Sequence, residues 1–208
     1  LKQLKTTFRE MRGKYPQTLR FLRAYLIYND GIQTVIVVST LFGANELGLG
    51  TDTLVQVVLM IQFVASLGAY LFNLLAGRVG AKRSIMMNLV GWVGLLIYGF
   101  LHTVLEFWLL GALLALILGG SQALSRSLFS QMIPENREAE YFSFYEISER
   151  GTSWIGPAVF GLAVQITGTQ RIAILSLIAF FAVGLLLLYR TDVRQAIVES
   201  GNELPVLV

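Results

Sequence analysis

Cysteine is absent from all 208 residues, and histidine occurs once, at His102. Disulfides and thiolate chemistry are therefore excluded, and there is no Cys/His cluster to hold a metal. Also missing are the glycine-rich loop followed by Lys and Ser or Thr that nucleotide phosphates need, and a nucleophile elbow. We expect no enzyme activity, no metal and no cofactor; an acid and base pair built from the glutamates described below is the one enzymatic alternative. Charge is scarce as well. Only 14% of the residues are charged while 55% are hydrophobic, whereas ordinary soluble chains carry roughly 25% charged residues. Water is not the main solvent of this chain.

What fills the sequence instead is a set of long apolar runs. Thr53 to Gly77, Ser84 to Leu105, Phe107 to Ser125, Gly151 to Gln170 and Ile172 to Tyr189 contain no Asp, Glu, Lys or Arg, and a sixth, Ala24 to Asn45, has Asp30 as its only charge. Each approaches or exceeds the roughly 20 residues a helix needs to cross about 30 Å of hydrocarbon. A transmembrane β-barrel needs shorter strands of alternating polarity, and the run from Ile172 to Tyr189 does not alternate. The expected fold class is an all-α membrane protein with six transmembrane helices. Their boundaries are Leu19 to Phe42, Thr53 to Gly77, Ser84 to Leu101, Leu105 to Ser130, Tyr141 to Ile166, with a kink at Gly156-Pro157, and Arg171 to Tyr189. Around this domain (19–190) lie a basic connector or interfacial helix (1–18) and a polar tail (191–208), mobile at its end.

Charge placement gives an orientation. Lys2, Lys5, Arg9, Arg12, Lys14, Arg20, Arg23, Arg78, Lys82, Arg83, Arg126, Arg137, Arg190 and Arg194 fall on or near one side, and Arg171 alone at the other. The positive-inside rule makes the crowded side, with both termini, cytoplasmic; in a bacterium this is the inner membrane. The formal charge of +3 reads as topology and anionic-lipid contact, not nucleic-acid binding. The chain opens without an initiating Met or a signal-peptide core, as a piece of a longer protein does. Expected helices one to three and four to six match as two three-helix units, an arrangement secondary transporters often invert.

Polar groups inside the runs are the functional candidates, because charge there is costly. Asp30 lies mid-helix in Tyr28-Asn-Asp-Gly-Ile-Gln33, where it serves transport or coupling, an interhelix bond, or merely a helix end. On expected helix five, Glu146 and Arg150 are four residues apart and so share a face suited to an ion pair, with Glu149 beside them. Arg126 reaches a similar depth. These four form an inner gate, a solute site or a static network. The amides Asn29, Gln33, Gln56, Gln62, Asn73 and Gln122, with Ser121, offer donors and acceptors to solute or to neighbouring helices. Gly119, Gly120, Ser121, Ala123, Gly151, Gly156 and Gly161 allow close helix approach. His102 reads as a boundary or loop contact.

Three segments carry a more specific resemblance: Tyr25-Leu-Ile-Tyr-Asn-Asp-Gly-Ile-Gln-Thr-Val35, Gly119-Gly-Ser-Gln-Ala-Leu-Ser-Arg-Ser127 and Phe142 to Pro157. Together they resemble the vacuole-effluxer-like branch of the major facilitator superfamily, over about Leu19 to Tyr189. The resemblance implies the carboxy-terminal six helices of a twelve-helix transporter, in which helices one and four border the cavity, two and five gate it, and three and six support it. Arg9 to Pro16 then belongs to the connector from an amino-terminal half. The turn from Asn73 to Arg83 resembles the superfamily's loop of Gly, Asp, Arg, Gly and Arg at Arg78, Gly80, Lys82 and Arg83. It departs at Gly77, where an acid is usual, and at Asn73, where a glycine is.

The function so implied is half of a secondary active transporter that moves a small polar solute, an amino acid among the candidates, by alternating access. Asn29, Asp30, Gln33, Ser121 and Gln122 are the substrate or coupling candidates, Arg126, Glu146, Glu149 and Arg150 the gate candidates. The expected partners are the lipid bilayer, the amino-terminal six-helix half, and a proton or small solute. A homodimer of the six-helix unit and a membrane anchor or assembly module without transport are the alternatives.

Overall fold

The computed structural model describes residues 2–45, 48–99 and 104–205; the turn at His102 lies outside the described residues. The fold is all-α. Its helices are α1 (Lys2–Lys14), α2 (Pro16–Asn45), α3 (Thr51–Val79), α4 (Ala81–Gly99), α5 (Val104–Gln131), α6 (Glu138–Thr152), α7 (Ile155–Thr167), α8 (Gln170–Ile174), α9 (Ile178–Tyr189) and α10 (Val193–Ser200), with a 3-10 turn at Leu175–Leu177 between α8 and α9. Among the described residues, four stretches are long and apolar enough to cross a membrane: Pro16–Asn45, Thr51–Val79, Phe107–Gln131 and Gln170–Tyr189. The other two expected runs give, among the described residues, the 19-residue α4 and the interrupted pair α6 and α7.

Local chemistry explains where the chain turns. Pro16 opens α2 at a position whose N–H has no helical partner, so its missing donor costs nothing. Gly80 ends α3 with φ of 93°, a value that favours glycine, and its N–H returns to the Ala76 carbonyl at 2.9 Å. Asp192 caps α10 by accepting from Gln195 N–H.

The interruption between α6 and α7 falls at Ser153 and Trp154, just before the expected kink at Gly156-Pro157. Pro157 has no N–H for the Ser153 carbonyl and its ring crowds that carbonyl. The helical ladder resumes with Ala158 N–H on Trp154 O at 3.1 Å.

Close packing follows the small residues. The most extensive pairing is α3 with α5, where a Cβ on Gly119 would collide with the Ala65 carbonyl and one on Gly68 with the Leu116 carbonyl. A helix α2 that is largely buried lies against α9, and a Cβ on Gly184 would meet Tyr28. Trp92 of α4 is fully buried and stacks on Phe181 of α9, ring centres 5.3 Å apart. The face of α3 is different: Phe63, Leu67, Tyr70, Leu71 and Leu74 are all exposed, a surface suited to lipid or to another apolar partner.

The ends of these helices are tied together at one pole. Thr18, early in α2, donates to the Met132 carbonyl just after α5 at 2.8 Å. Lys82, at the start of α4, donates to the Tyr189 and Thr191 carbonyls at the end of α9. The tail is part of this pole. Val193, Ala196 and Ile197 are buried, and Asn202 donates to the Gln131 and Ile133 carbonyls at 2.9 Å each, closing the C-terminus of α5. Only a polar tail is expected here from the sequence; the i, i+3 and i+4 spacing of the apolar residues 193, 196 and 197 is the signal that marks α10.

Candidate functional site

Asp30 is buried halfway along α2. Its Oδ2 accepts the Gly156 backbone N–H at 2.7 Å, a donor that the interrupted helix does not use internally. The carboxylate therefore caps the N-terminus of α7 from a neighbouring helix, where an acceptor satisfies an orphan amide and meets the positive helix end. Thr34 Oγ1 donates back to the Asp30 carbonyl at 2.7 Å, which fixes the α2 side of the contact. A Cβ on Gly156 would collide with Thr34 Oγ1, so only glycine lets α7 approach α2 this closely. The second oxygen, Asp30 Oδ1, is buried without a hydrogen-bond partner among the described residues.

One to two turns closer to the tied pole lies an aromatic and charged layer. Tyr25 of α2 stacks on Tyr145 of α6, ring centres 4.2 Å apart, and its hydroxyl donates to Glu149 Oε2 at 2.7 Å. Tyr145 also packs against Phe129 of α5 at 4.9 Å. Arg126 of α5 pairs with Glu146 of α6 at 2.8 Å and lies over the Phe142 ring. Both partners of that pair are open to solvent, so it is a labile contact worth little to stability. The ion pair expected between Glu146 and Arg150 gives way to this one. Arg126 comes from the packed neighbour helix with a ring to rest on, whereas Arg150 is exposed and makes no ion pair among the described residues.

The remaining candidates separate. Ser121 does not face Asp30; its Oγ accepts from Trp92 Nε1–H at 2.9 Å and sits against Asn88 and the Ile117 carbonyl, inside the α4–α5 contact. Asn29 is buried, Gln33 half-buried and Gln122 exposed. Arg78 and Arg83 are exposed at the α3–α4 turn around Gly80, while Lys82 is committed to the α9 carbonyls. A separate cavity of about 160 Å³ between α2, α3 and α5 is lined mainly by apolar groups such as Val35, Phe42, Val57 and Leu114. None of the substrate or coupling candidates lines it.

A second polar assembly was not anticipated. Arg137, before α6, holds Glu10 of α1 through two bonds of 2.8 and 2.9 Å and Glu140 of α6 through bonds of 3.1 and 2.8 Å. Thr7 of α1 donates to Glu140 at 2.6 Å. The guanidinium beside Glu10 holds its carboxyl below the usual value of 4.5, and the Thr7 hydroxyl followed by Arg137 does the same for Glu140. With Met11 buried and Tyr15 edge-on to Tyr141 at 6.1 Å, this clamp fastens α1 to the first turn of α6, the element that also carries Tyr145, Glu146 and Glu149.

The family model described as vacuole effluxer Atg22 like matches residues 1–201. The chain belongs to this family.

A Bacillus subtilis protein described as an uncharacterized MFS-type transporter, YxiO, is 34% identical over 212 residues, covering 99% of this chain and 48% of its own length. Autophagy-related protein 22-1 of Penicillium rubens is 32% identical, covering 88% of the chain and 34% of itself. Autophagy-related protein 22 of Kluyveromyces lactis is 29% identical, covering 84% and 38%. The chain thus spans between about a third and a half of the length of these relatives. Membership is in a family of membrane transporters, not of enzymes.

Tyr25, Tyr145 and the clamp residues Glu10, Arg137 and Glu140 are what sequence reasoning missed. Tyr145 and Glu149 are four residues apart and share a face of α6, which was a usable signal. Glu10 and Arg137 stand 127 residues apart in sequence, and no local pattern joins them.

Proposed function

We propose that this chain is one half of a secondary active transporter, working against an amino-terminal six-helix half to move a small polar solute by alternating access. In this reading the six membrane segments are α2, α3, α4, α5, the α6–α7 pair and the α8–α9 pair, arranged as two inverted three-helix units. Residues 1–18 are the connector, 19–190 the transmembrane domain and 191–208 the tail, with both termini cytoplasmic. The observation that carries the proposal is the Asp30 to Gly156 bond, which joins a buried carboxylate to the break between α6 and α7. Discontinuous helices whose free backbone groups meet charge near mid-membrane are where transporters place coupling and substrate groups.

Asp30 is then the coupling or amine-binding group, with Asn29 and Gln33 beside it. The gate is the layer formed by Tyr25, Tyr145 and Glu149 with the Arg126–Glu146 pair, which can change partners as α6 moves because its charges are solvent-reachable. Arg150, exposed near the break, is free to meet a solute carboxylate. The family description names a vacuole effluxer, which supports export of a metabolite, an amino acid being the class that an amine-binding Asp30 and a carboxylate-binding arginine would suit.

The test is transport by the parent protein carrying Asp30→Asn. Loss of solute flux with normal membrane insertion is expected; retained flux would exclude an essential proton or amine role at this position. The anchor or assembly reading draws on Ser121, whose hydrogen bonds are spent within the α4–α5 contact. Labelling of Cys introduced at Gln33 separates the two: protection by one solute class favours a cavity, and equal labelling with every solute favours the anchor.

A further inference from the structure

We propose that the hollow formed by the start of α4, the end of α9 and the start of α10 binds the phosphate of an anionic phospholipid. This rests on the chain lying in a bilayer and is independent of whether it transports. The hollow is an open depression of about 500 Å³ lined by Lys82, Arg83, Tyr189, Arg190, Asp192 and Arg194 among others. Four cations face one carboxylate. Asp192 Oδ1 accepts Gln195 N–H at 3.0 Å to cap α10, and its one negative charge leaves the hollow with a net positive charge.

Lys82 builds the site as well as charging it. Two of its three ammonium donors go to the Tyr189 and Thr191 carbonyls, at 3.0 and 2.8 Å, and one remains. Arg83, Arg190 and Arg194 are exposed and make no ion pair among the described residues. The 19-residue α4 begins here with no acid in its first turn, so its unpaired N–H groups and positive end add to the field. A phosphate diester, with one negative charge shared by two non-bridging oxygens that can accept forked guanidinium donors, is the ligand chemistry that fits.

The surroundings select a lipid over a free phosphate. Along the two helices that lead away from the hollow, Met87 and Val90 of α4 and Val183 and Leu186 of α9 are exposed apolar side chains, where acyl chains can lie. Tyr189, 68% exposed at the mouth, has the amphipathic ring typical of a membrane boundary. Basic pockets between helices at a membrane surface are built to hold such headgroups.

Native mass spectrometry of the detergent-purified chain, offered phosphatidylglycerol or phosphatidylcholine at equal concentration, tests the assignment. Phosphatidylglycerol should be retained at least about tenfold more than phosphatidylcholine, and the triple variant Arg83→Gln, Arg190→Gln, Arg194→Gln should lose that preference. Lys82 is left in place so that the α4–α9 tie survives, and a thermal melt within a few degrees of wild type verifies the fold. Equal retention of the two lipids, or an unchanged preference in the folded variant, overturns the proposal. A third arm adds millimolar inorganic phosphate: continued lipid retention supports the lipid, whereas displacement by inorganic phosphate overturns it in favour of a free-anion site. Should the triple variant unfold, the single Arg190→Gln variant must still weaken retention of phosphatidylglycerol, and no change there also overturns the site.

Discussion

Asp30 divides its task between two oxygens, one bonded to Gly156 N–H and the other buried without a partner among the described residues. Removing the acceptor with Asp30→Ala leaves a buried amide unsatisfied, which costs about 1–3 kcal/mol. Asp30→Asn keeps a carbonyl oxygen in reach of that amide while deleting the charge. We expect the Ala variant to melt several degrees below wild type in detergent and the Asn variant to stay close to it. Equal loss in both would show that charge, not the cap, holds α7 to α2. Tyr25→Phe is a milder change: it keeps the stack on Tyr145 but frees Glu149, and should cost about 1 kcal/mol while raising labelling of a Cys placed at Gln33 from the tied pole. Asp30 itself was legible because a lone acid in an apolar run is conspicuous. Its partner was not, since a backbone N–H has no side-chain signature and Pro157 announces a lost helical bond without saying what replaces it.

At the scale of helices, packing is decided where glycines let backbones touch. Gly119→Ala or Gly68→Ala must push α3 from α5, because the added carbon meets backbone carbonyls that cannot yield; overpacking of this kind costs about 1–3 kcal/mol. Gly77→Ala, with open space around it, should instead gain from helix propensity, by up to about 1 kcal/mol. Thermal melts of the variants side by side check the contrast, and a neutral Gly119→Ala would mean the two helices are looser than described. The apolar runs made α2, α3 and α5 readable within a few residues, because hydropathy and length are properties of each run alone. The α1 clamp was hidden for the opposite reason: its ion pairs depend on how distant helix ends come together. It also has a pH signature. The folded clamp holds Glu10 and Glu140 below their ordinary value of 4.5, so its contribution is complete above that value and is lost as pH falls through the lowered ones. A spin-label pair on Arg12 and Ser143 should report a fixed distance at pH 7 and a broadened one near pH 3, with Glu10→Gln already broadened at pH 7. The energy involved is small, on the order of 1 kcal/mol, because solvent reaches Arg137, so the bundle itself should persist.

For the molecule as a whole, the tied pole is also the basic one. The starts of α2 and α4 and the ends of α5 and α9 meet there through side-chain to carbonyl bonds, and the turn from α3 to α4 carries Arg78, Lys82 and Arg83 to the same place. Arg137, Arg190 and Arg194 join them, while the α2–α3 connection from Gly43 to Asp52 has neither Arg nor Lys. Transfer of such a cluster across a bilayer is opposed by its positive charge, so the cluster should remain cytoplasmic and the α2–α3 connection should face outward. The missing cysteines make this easy to measure, since any cysteine introduced into the chain is the only one it has. Thr51→Cys and Glu135→Cys both stand at exposed positions, on opposite poles. In intact cells a membrane-impermeant maleimide should label Thr51→Cys and leave Glu135→Cys unmodified until the membrane is permeabilised. The reverse pattern would invert the orientation, and with it the side of the membrane nearer to Tyr25, Glu149 and the Arg126–Glu146 pair.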